Sequence, residues 1–328
     1  MLTKKMNMLE AIRGGNPDRF VNQFEAVEFM ADPYSKKNRG SLKPGGEIIN
    51  SWGVTIRFQE NTPGPFPVHD DEHKVLKDIT EWEEVVKFPS LDFPQEAWDE
   101  CRAAADKIDR NEKFATALIA PGVFDHLHYL MGMEDCLLSF YTEPDALKGL
   151  INRITEWELE YARLLCENLH PTAVLHHDDW GSQRSTFLSP DMFAEFIFPS
   201  YKKIYGYYKE HGVEVVIHHS DSYAATIVPH MIDVGIDVWQ GCIDTNDMPT
   251  LIKQYGGQIA FMGAINNGIV DVPGWTDKLI AETVEKVCRE CGKLYFIPCC
   301  TAGGPSSNYP GVFDAVTREI DKMSEIMF

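Results

Sequence analysis

The sequence predicts an α/β fold, specifically a (β/α)8 TIM-like barrel formed as one domain by residues 1–328. Short apolar runs alternate with helical patterns along most of the chain, which is typical of βα units and a parallel sheet. The 328 residues, 44% of them hydrophobic, suffice for one large core. The chain contains no GxGxxG or GxxxxGK[ST] loop, which disfavours a doubly wound nucleotide-binding sheet.

An amphipathic helix and a long irregular segment precede the regular alternation. Met8, Leu9 and Ile12 fall on one helical face, and the glycines at 14 and 15 end that pattern. We expect residues 21–27 to form the first strand. Residues 32–71 contain many Pro, Gly and polar residues. They predict a long N-terminal loop or hairpin excursion that covers one end of the fold.

The remaining strands and helices follow from apolar runs and periodicity. Strands are predicted at residues 114–119, 173–176, 213–218, 238–241, 259–263 and 294–298. Helices are predicted at residues 94–109, 133–169, 190–210, 222–233, 249–254, 276–290 and 311–328. About seven or eight βα units over this length favour a closed barrel over an open sheet.

The net charge and the cysteines indicate which classes of protein this chain does not belong to. The formal net charge of −20 argues against nucleic-acid binding and against docking on an anionic membrane. No apolar run is long enough for a transmembrane helix, and no secretory signal is recognisable. We therefore expect a soluble, cytoplasmic protein whose eight cysteines are reduced thiols.

Polar, ionisable and thiol residues follow five consecutive predicted strands. They are His176-His177-Asp178-Asp179-Trp180, His218-His219-Ser220-Asp221, Gln240-Gly241-Cys242, Gly263-Ala264-Ile265-Asn266-Asn267 and Cys299-Cys300-Thr301. In a (β/α)8 barrel the carboxyl ends of all strands meet on one face, where the active site lies. Any one of these residues alone is equally typical of a helix cap or a hydrogen-bonded loop. Together they predict an active site at that face.

Residues 177–193 read HDDWGSQRSTFLSPDMF. This string resembles the D-D-x-G-x-Q…S-P signature of the uroporphyrinogen decarboxylase superfamily. Weaker matches occur in the expected order: MNMLEAIRGGNPDR near the start, Ala120-Pro121-Gly122-Val123-Phe124, and the strand that ends in His218-His219-Ser220-Asp221. The resemblance covers nearly the whole chain and implies the barrel fold.

An arginine-containing segment distinguishes two branches of that superfamily. Porphyrinogen decarboxylases carry an R-Q-A-G-R-Y segment that binds propionate carboxylates, whereas residues 22–27 here read NQFEAV. Without those arginines, a polycarboxylate substrate has no electrostatic partner. The resemblance therefore implies the other branch, the corrinoid-dependent methyltransferases.

That branch binds zinc through an H-x-C pattern and a late cysteine. The corresponding residues here are His219, Asp221 and Cys300, with Cys299 as the alternative thiol. Nitrogen, oxygen and sulfur are all zinc ligands, and three ligands leave a position for substrate. Asp in place of the first Cys favours a harder, oxygen-containing substrate. A rival site at Cys288-x-x-Cys291 lacks a second CxxC, and core thiols explain that pair better.

The resemblance implies demethylation of a small methylated substrate, with an aryl methyl ether as the favoured class, and methyl transfer to a corrinoid. The chain lacks a D-x-H-x-x-G cobalamin motif, so we expect cobalamin on a separate corrinoid protein. The predicted catalytic residues are His177, Asp179, His219 and Asp221, and the predicted substrate-binding residues are Asp178, Trp180, Gln183, Phe187, Trp239 and Asn266. Core packing is an equal alternative for each aromatic residue in that set.

Three alternative functions stay open at this point. One is methyl transfer from a corrinoid to a thiol or a pterin. The others are porphyrinogen decarboxylation and a noncatalytic role in corrinoid maturation.

Overall fold

The computed structural model describes residues 1–38, 42–60, 62 and 64–328. The strands are β1 Val27–Met30, β2 Glu47–Ile49, β3 Thr55–Arg57, β4 Phe66–Pro67, β5 Phe114–Ile119, β6 Ala173–His177, β7 Val215–His219, β8 Val238–Cys242, β9 Ala260–Ile265 and β10 Phe296–Cys300. The helices are α1 Lys4–Arg13, α2 Pro33–Asn38, α3 Trp82–Val85, α4 Gln95–Ala105, α5 Val123–Met131, α6 Met133–Thr142, α7 Pro144–Leu169, α8 Pro190–Met192, α9 Phe198–Glu210, α10 Val228–Val234, α11 Met248–Tyr255, α12 Asn267–Val270, α13 Asp277–Cys291 and α14 Val312–Met327. A π-helical turn, Phe193–Ile197, joins α8 to α9.

Seven of these strands form one parallel sheet in the order β1-β5-β6-β7-β8-β9-β10. The helices between them form the outer layer, so the predicted TIM-like α/β class is confirmed. The described residues contain seven strands of this sheet rather than eight. Gln23, in the turn before the edge strand β1, bonds to the other edge strand, β10, and to α14. The Oε1 of Gln23 accepts from Cys300 N (3.2 Å), and its Nε2 donates to Thr317 Oγ1 (2.8 Å).

Two apolar clusters lie on the two sides of this sheet. The inner one contains alternate residues of the strands, such as Leu175, Ile217 and Cys299, together with the apolar face of α1. The outer one packs the other strand face against the helices. Helix α1 sits at the amino ends of the strands, since its Lys5 N bonds to Glu112 O (2.9 Å), just before β5. The carboxyl ends of the strands are therefore the end left for a site.

Four local predictions differ from the structure. The helix predicted over residues 222–233 becomes an α-helix only at Val228, after a 3-10 turn at Ala225–Ile227. Residues 21–27 do not form a strand: Gln23 has φ +53 in a buried turn, and β1 begins only at Val27. The helix predicted over residues 133–169 is two helices, which meet at Glu143 and Pro144. Helix α5 was not predicted, although all but one of its nine residues are buried.

The N-terminal excursion contains a small antiparallel sheet, β2-β3-β4. This agrees with the hairpin prediction, although residues 39–41, 61 and 63 lie outside the described residues. No helix in the described part of the chain combines the length and apolar character needed to cross a membrane.

Candidate functional site

The ends of β6 and β7 place four histidines in two layers. The strands pair in register, His176 with His218 and His177 with His219. Because side chains alternate across a strand, the two pairs point to opposite faces. His176 and His218, here called the outer pair, are fully buried and pack against Tyr201 on α9. The rings of His177 and His219 stack with centroids 4.4 Å apart at the carboxyl end of the sheet.

His177, Asp179 and His219 form what we call the inner cluster. One ligand atom from each lies within 4.8 Å of the other two. The Nε2 of His219 is 4.0 Å from Asp179 Oδ1. The His219 side chain is 2% exposed, whereas those of His177 and Asp179 are 29% and 31% exposed. A ligand can therefore reach His177 and Asp179 from solvent, whereas His219 is held inside the protein.

Gln240 orients His219. Its Nε2 donates to Ala302 O (3.1 Å) and faces Cys300 O (3.4 Å), so its Oε1 must face the histidine. His219 Nδ1 then donates to that oxygen, and its Nε2 carries a lone pair toward Asp179. Gly303 packs over the same ring, because a Cβ there would lie 3.2 Å from His219 Cε1.

Asp125, in the first turn of α5, orients His177 as Gln240 orients His219. His177 Nδ1 lies 3.3 Å from Asp125 Oδ2, and the other carboxylate oxygen is 3.0 Å from His128 Nε2. When His177 donates from Nδ1, its Nε2 is the nitrogen left for a ligand. Outer carboxylates and carbonyls of this kind accompany most metal-binding histidines. The donor set of the inner cluster, two nitrogens and one oxygen, thus fits a divalent metal such as zinc.

Burial and the charges in the site shift the pKa values of neighbouring groups in different directions. Burial alone would lower the pKa of His177, but the Asp179 and Asp125 carboxylates outweigh it and raise that pKa to about 10. Burial and repulsion by His177 lower the pKa of His219 to about 3. Burial and the Asp179 carboxylate raise the pKa of Asp221 to about 7. At neutral pH His177 is therefore protonated, His219 is neutral and the Asp221 carboxyl group is partly protonated. A divalent metal held by His177 would displace the proton from its ligating nitrogen.

Asp178 and Asp179 have different surroundings although they are adjacent in the sequence. The buried carboxylate of Asp178 accepts from the backbone N–H groups of Phe124 (3.0 Å) and Asp125 (2.6 Å) and from Trp180 Nε1 (2.9 Å). Tyr201 donates a further bond of 2.5 Å. These donors occupy the carboxylate of Asp178, which holds the amino end of α5. Asp179 faces the inner cluster instead.

The predicted metal ligands are only partly brought together. His219 belongs to the inner cluster, and Asp221 adjoins it through its backbone N–H, which donates to Asp179 Oδ1 (3.1 Å). Among the described residues, the group of three converging ligand atoms includes neither Asp221 nor a cysteine. The Cys299 side chain packs in the inner apolar cluster and that of Cys300 in the outer one. Burial raises the pKa of Cys300 to about 12.

The predicted substrate-binding residues are spread over several environments. Trp180 is buried and stacks on His218 at 3.7 Å, and Trp239 is fully buried with its Nε1 bonded to Ser220 O (3.0 Å). Phe187 stacks on Phe124 at the edge of the outer layer. Gln183 is exposed in the loop after β6. The Asn266 amide caps α12 and bonds to Asp244 Oδ1 (2.6 Å).

Sequence reasoning missed Asp125 and Gln240 as members of the site. Gln240 was noted after its strand, but no role was assigned to it. Asp125 lies six residues after the end of β5, in the first turn of a helix that was not predicted.

Comparisons with known proteins agree with this architecture. A methyltransferase from Methanosarcina mazei has a similar structure, with a TM-score of 0.65 over 98% of this chain and 99% of that one, at 14% sequence identity. No curated protein matches this sequence. The family model for uroporphyrinogen decarboxylase (URO-D) matches residues 48–297. Since that match covers most of the 328 residues, the chain belongs to the uroporphyrinogen decarboxylase family.

Proposed function

We propose that this chain is a methyltransferase that demethylates a small methylated substrate, an aryl methyl ether in the favoured case. The methyl group passes to the Co(I) of cobalamin carried by a separate corrinoid protein. The observation that carries the proposal is the inner cluster of His177, Asp179 and His219, open at the carboxyl end of the sheet. The likeness to a protein named as a methyltransferase supports this reaction class.

The charge of the site argues against a polycarboxylate porphyrinogen. The carboxylates of Asp125, Asp179 and Asp221 surround the inner cluster. Among the hydrogen bonds and ion pairs of the described residues, none joins an arginine or lysine to the three cluster side chains. A substrate with several carboxylates would therefore find no arginine or lysine to pair with at this position. A neutral ether needs no such partner.

The transfer breaks the bond between the methyl carbon and the ether oxygen and forms a bond between that carbon and cobalt. The oxygen keeps the electron pair of the broken bond and must be neutralised to leave. A divalent metal held by His177, Asp179 and His219 would supply a Lewis acid for that oxygen. Asp221, with its pKa raised to about 7, is the proton donor that we assign to it.

The test combines the purified chain with a reduced corrinoid protein and a panel of methoxylated aromatics, methylamines and methyl thioethers. We expect the absorbance change of corrinoid methylation with a methoxylated aromatic, together with about one equivalent of bound divalent metal. A panel without any methyl transfer, combined with CO2 release from a porphyrinogen, would overturn the proposal. Thiolate ligation of the metal, seen by X-ray absorption, would instead favour corrinoid-to-thiol transfer.

The role of Asp221 is tested by Asp221→Asn, which removes the acidic proton at nearly constant volume. We expect the turnover rate to fall about 10²-fold, since general acids typically contribute 10²–10⁴-fold. The loss should be greatest for substrates whose phenol is a poor leaving group. Asp99→Asn is the matched control, because Asp99 is exposed on α4 and pairs with Arg102 on the same helix. Equal rates in Asp221→Asn and the parent chain would exclude Asp221 as the donor.

A further inference from the structure

The Asp125 carboxylate lies between the inner cluster and His128 on α5. Its side chain is 3% exposed and has three neighbours with polar hydrogens: His177 Nδ1 at 3.3 Å, His128 Nε2 at 3.0 Å and the Asp179 N–H at 3.4 Å. The first and last of these belong to the inner cluster. Asp125 is therefore in contact with two of the three candidate metal ligands without being one of them.

The backbone fixes the place of this carboxylate. Asp125 is the third residue of α5, and the buried Asp178 carboxylate accepts its N–H at 2.6 Å and that of Phe124 at 3.0 Å. Tyr201 on α9 holds the same carboxylate from the other side. A helix end held in this way leaves the Asp125 side chain little freedom to move relative to β6. His177 consequently has one well-defined hydrogen-bond partner.

We propose that Asp125 is a positioning residue, which holds His177 through Nδ1 so that Nε2 faces the metal position beside Asp179 and His219. This inference rests on the proposed function, because it assumes that the inner cluster holds a divalent metal. Asp125 acts through His177 and touches neither substrate nor metal. A carboxylate in this position also makes the bound imidazole a stronger donor, and its removal typically weakens metal binding 10–100-fold.

The chain contains a matched comparison one residue earlier on the same strand. His176 Nε2 lies 3.2 Å from Glu158 Oε2, and both side chains are almost fully buried in the outer layer. This too is a contact between a buried carboxylate and a histidine of β6, but it faces α7 and not the inner cluster. Glu158→Gln therefore reports what loss of a buried carboxylate does to the fold alone.

The experiment measures zinc affinity by competition with a chromophoric chelator for the full chain, Asp125→Asn and Glu158→Gln. Each protein is also loaded with Co²⁺, and the visible absorption of the bound ion is recorded. We expect zinc affinity to fall 10–100-fold in Asp125→Asn, with a changed Co²⁺ spectrum. Glu158→Gln should leave zinc affinity and the Co²⁺ spectrum as they are in the parent chain, because Glu158 contacts none of the three cluster side chains.

Folding is checked by thermal unfolding of the metal-free proteins. If Asp125→Asn does not fold, Asp125→Glu replaces it. That variant keeps the charge but moves the oxygens by one methylene group, and it should also bind zinc more weakly than the parent chain.

Unchanged affinity and spectrum in the Asp125 variants would overturn the positioning role and leave the proposed function intact. Equal losses in Asp125→Asn and Glu158→Gln would overturn it as well, because the effect would then be structural. A parent chain that binds neither Zn²⁺ nor Co²⁺ would overturn both the inference and the metal centre of the proposed function.

Discussion

The inner cluster and the outer pair are built from neighbouring residues of the same two strands, yet they differ in almost every physical respect. His177 and His219 stack at 4.4 Å, and His177 is partly exposed. His176 and His218 are 6.3 Å apart and completely buried. The inner histidines contact side chains that leave one nitrogen free, whereas both nitrogens of His218 have partners. Position on a pleated strand therefore decides whether a histidine is available for chemistry.

The partners of His218 also fix its protonation. Its Nε2 lies 3.1 Å from the Asp178 carbonyl oxygen and must carry the hydrogen. Its Nδ1 then accepts from the Tyr205 hydroxyl at 2.7 Å. Burial and the neighbouring histidines lower the pKa of His218 well below its usual range. This ring is a neutral, hydrogen-bonded part of the core.

The largest expected effect comes from two separate variants, each of which replaces one histidine, one in the inner cluster and one in the outer pair. His177→Ala should lose the metal and slow methyl transfer on the order of 10³-fold, because Lewis-acid stabilisation contributes several kcal/mol. His176→Gln should keep metal affinity and turnover within a few-fold but lower the free energy of unfolding. Metal analysis, turnover rates and urea unfolding separate these outcomes. A larger loss of turnover in His176→Gln would reverse the assignment of the two layers.

A smaller effect, on stability alone, is expected from a substitution next to the outer pair. Tyr205→Phe removes the only hydroxyl that reaches His218 Nδ1 among the hydrogen bonds of the described residues. An unsatisfied buried acceptor costs about 1–3 kcal/mol, which urea unfolding should detect without a change in metal affinity. Tyr207→Phe on the same helix is the control, since the Tyr207 hydroxyl has no hydrogen bond within the described part of the chain. Similar stabilities of the two variants would contradict the neutral-acceptor assignment.

The smallest effect is a pH dependence of stability. Since the folded pKa of His218 is depressed, the unfolded chain alone takes up this proton as the pH falls below about 6.5. His218 therefore makes no contribution above that pH and destabilises the folded state below it, by up to about 1.4 kcal/mol per pH unit. Urea unfolding at pH 7.5, 6.5 and 5.5 should show a shallower loss in His218→Asn. Parallel pH profiles would show that His218 charges in the folded protein.

The sequence allowed the strands after residue 110 to be placed within about two residues, because short apolar runs between helices are a strong signal for parallel strands. It also predicted a site at the carboxyl ends of five strands, and the inner cluster lies at the ends of two of them, β6 and β7. It did not reveal which member of the His176-His177 pair faces inward. That choice depends on the register of the sheet, and a shift of one residue exchanges the two faces.

The contribution of Asp125 was inaccessible for a related reason. It reaches the site because Asp178, more than fifty residues later in the chain, accepts its backbone N–H. Long-range pairings of this kind leave no local pattern in a single sequence. The unpredicted helix α5 carries this carboxylate, so missing the helix also meant missing Asp125.

Gln23 ties the turn before β1 to the last strand and the last helix of the chain. Its Oε1 accepts from Cys300 N at the end of β10, and its Nε2 donates to Thr317 Oγ1 on α14. Both hydrogen bonds depend on one side chain, so a single substitution can remove this contact. The backbone ladders between the paired strands have no such dependence, because every residue type except proline supplies the same N–H and C=O groups.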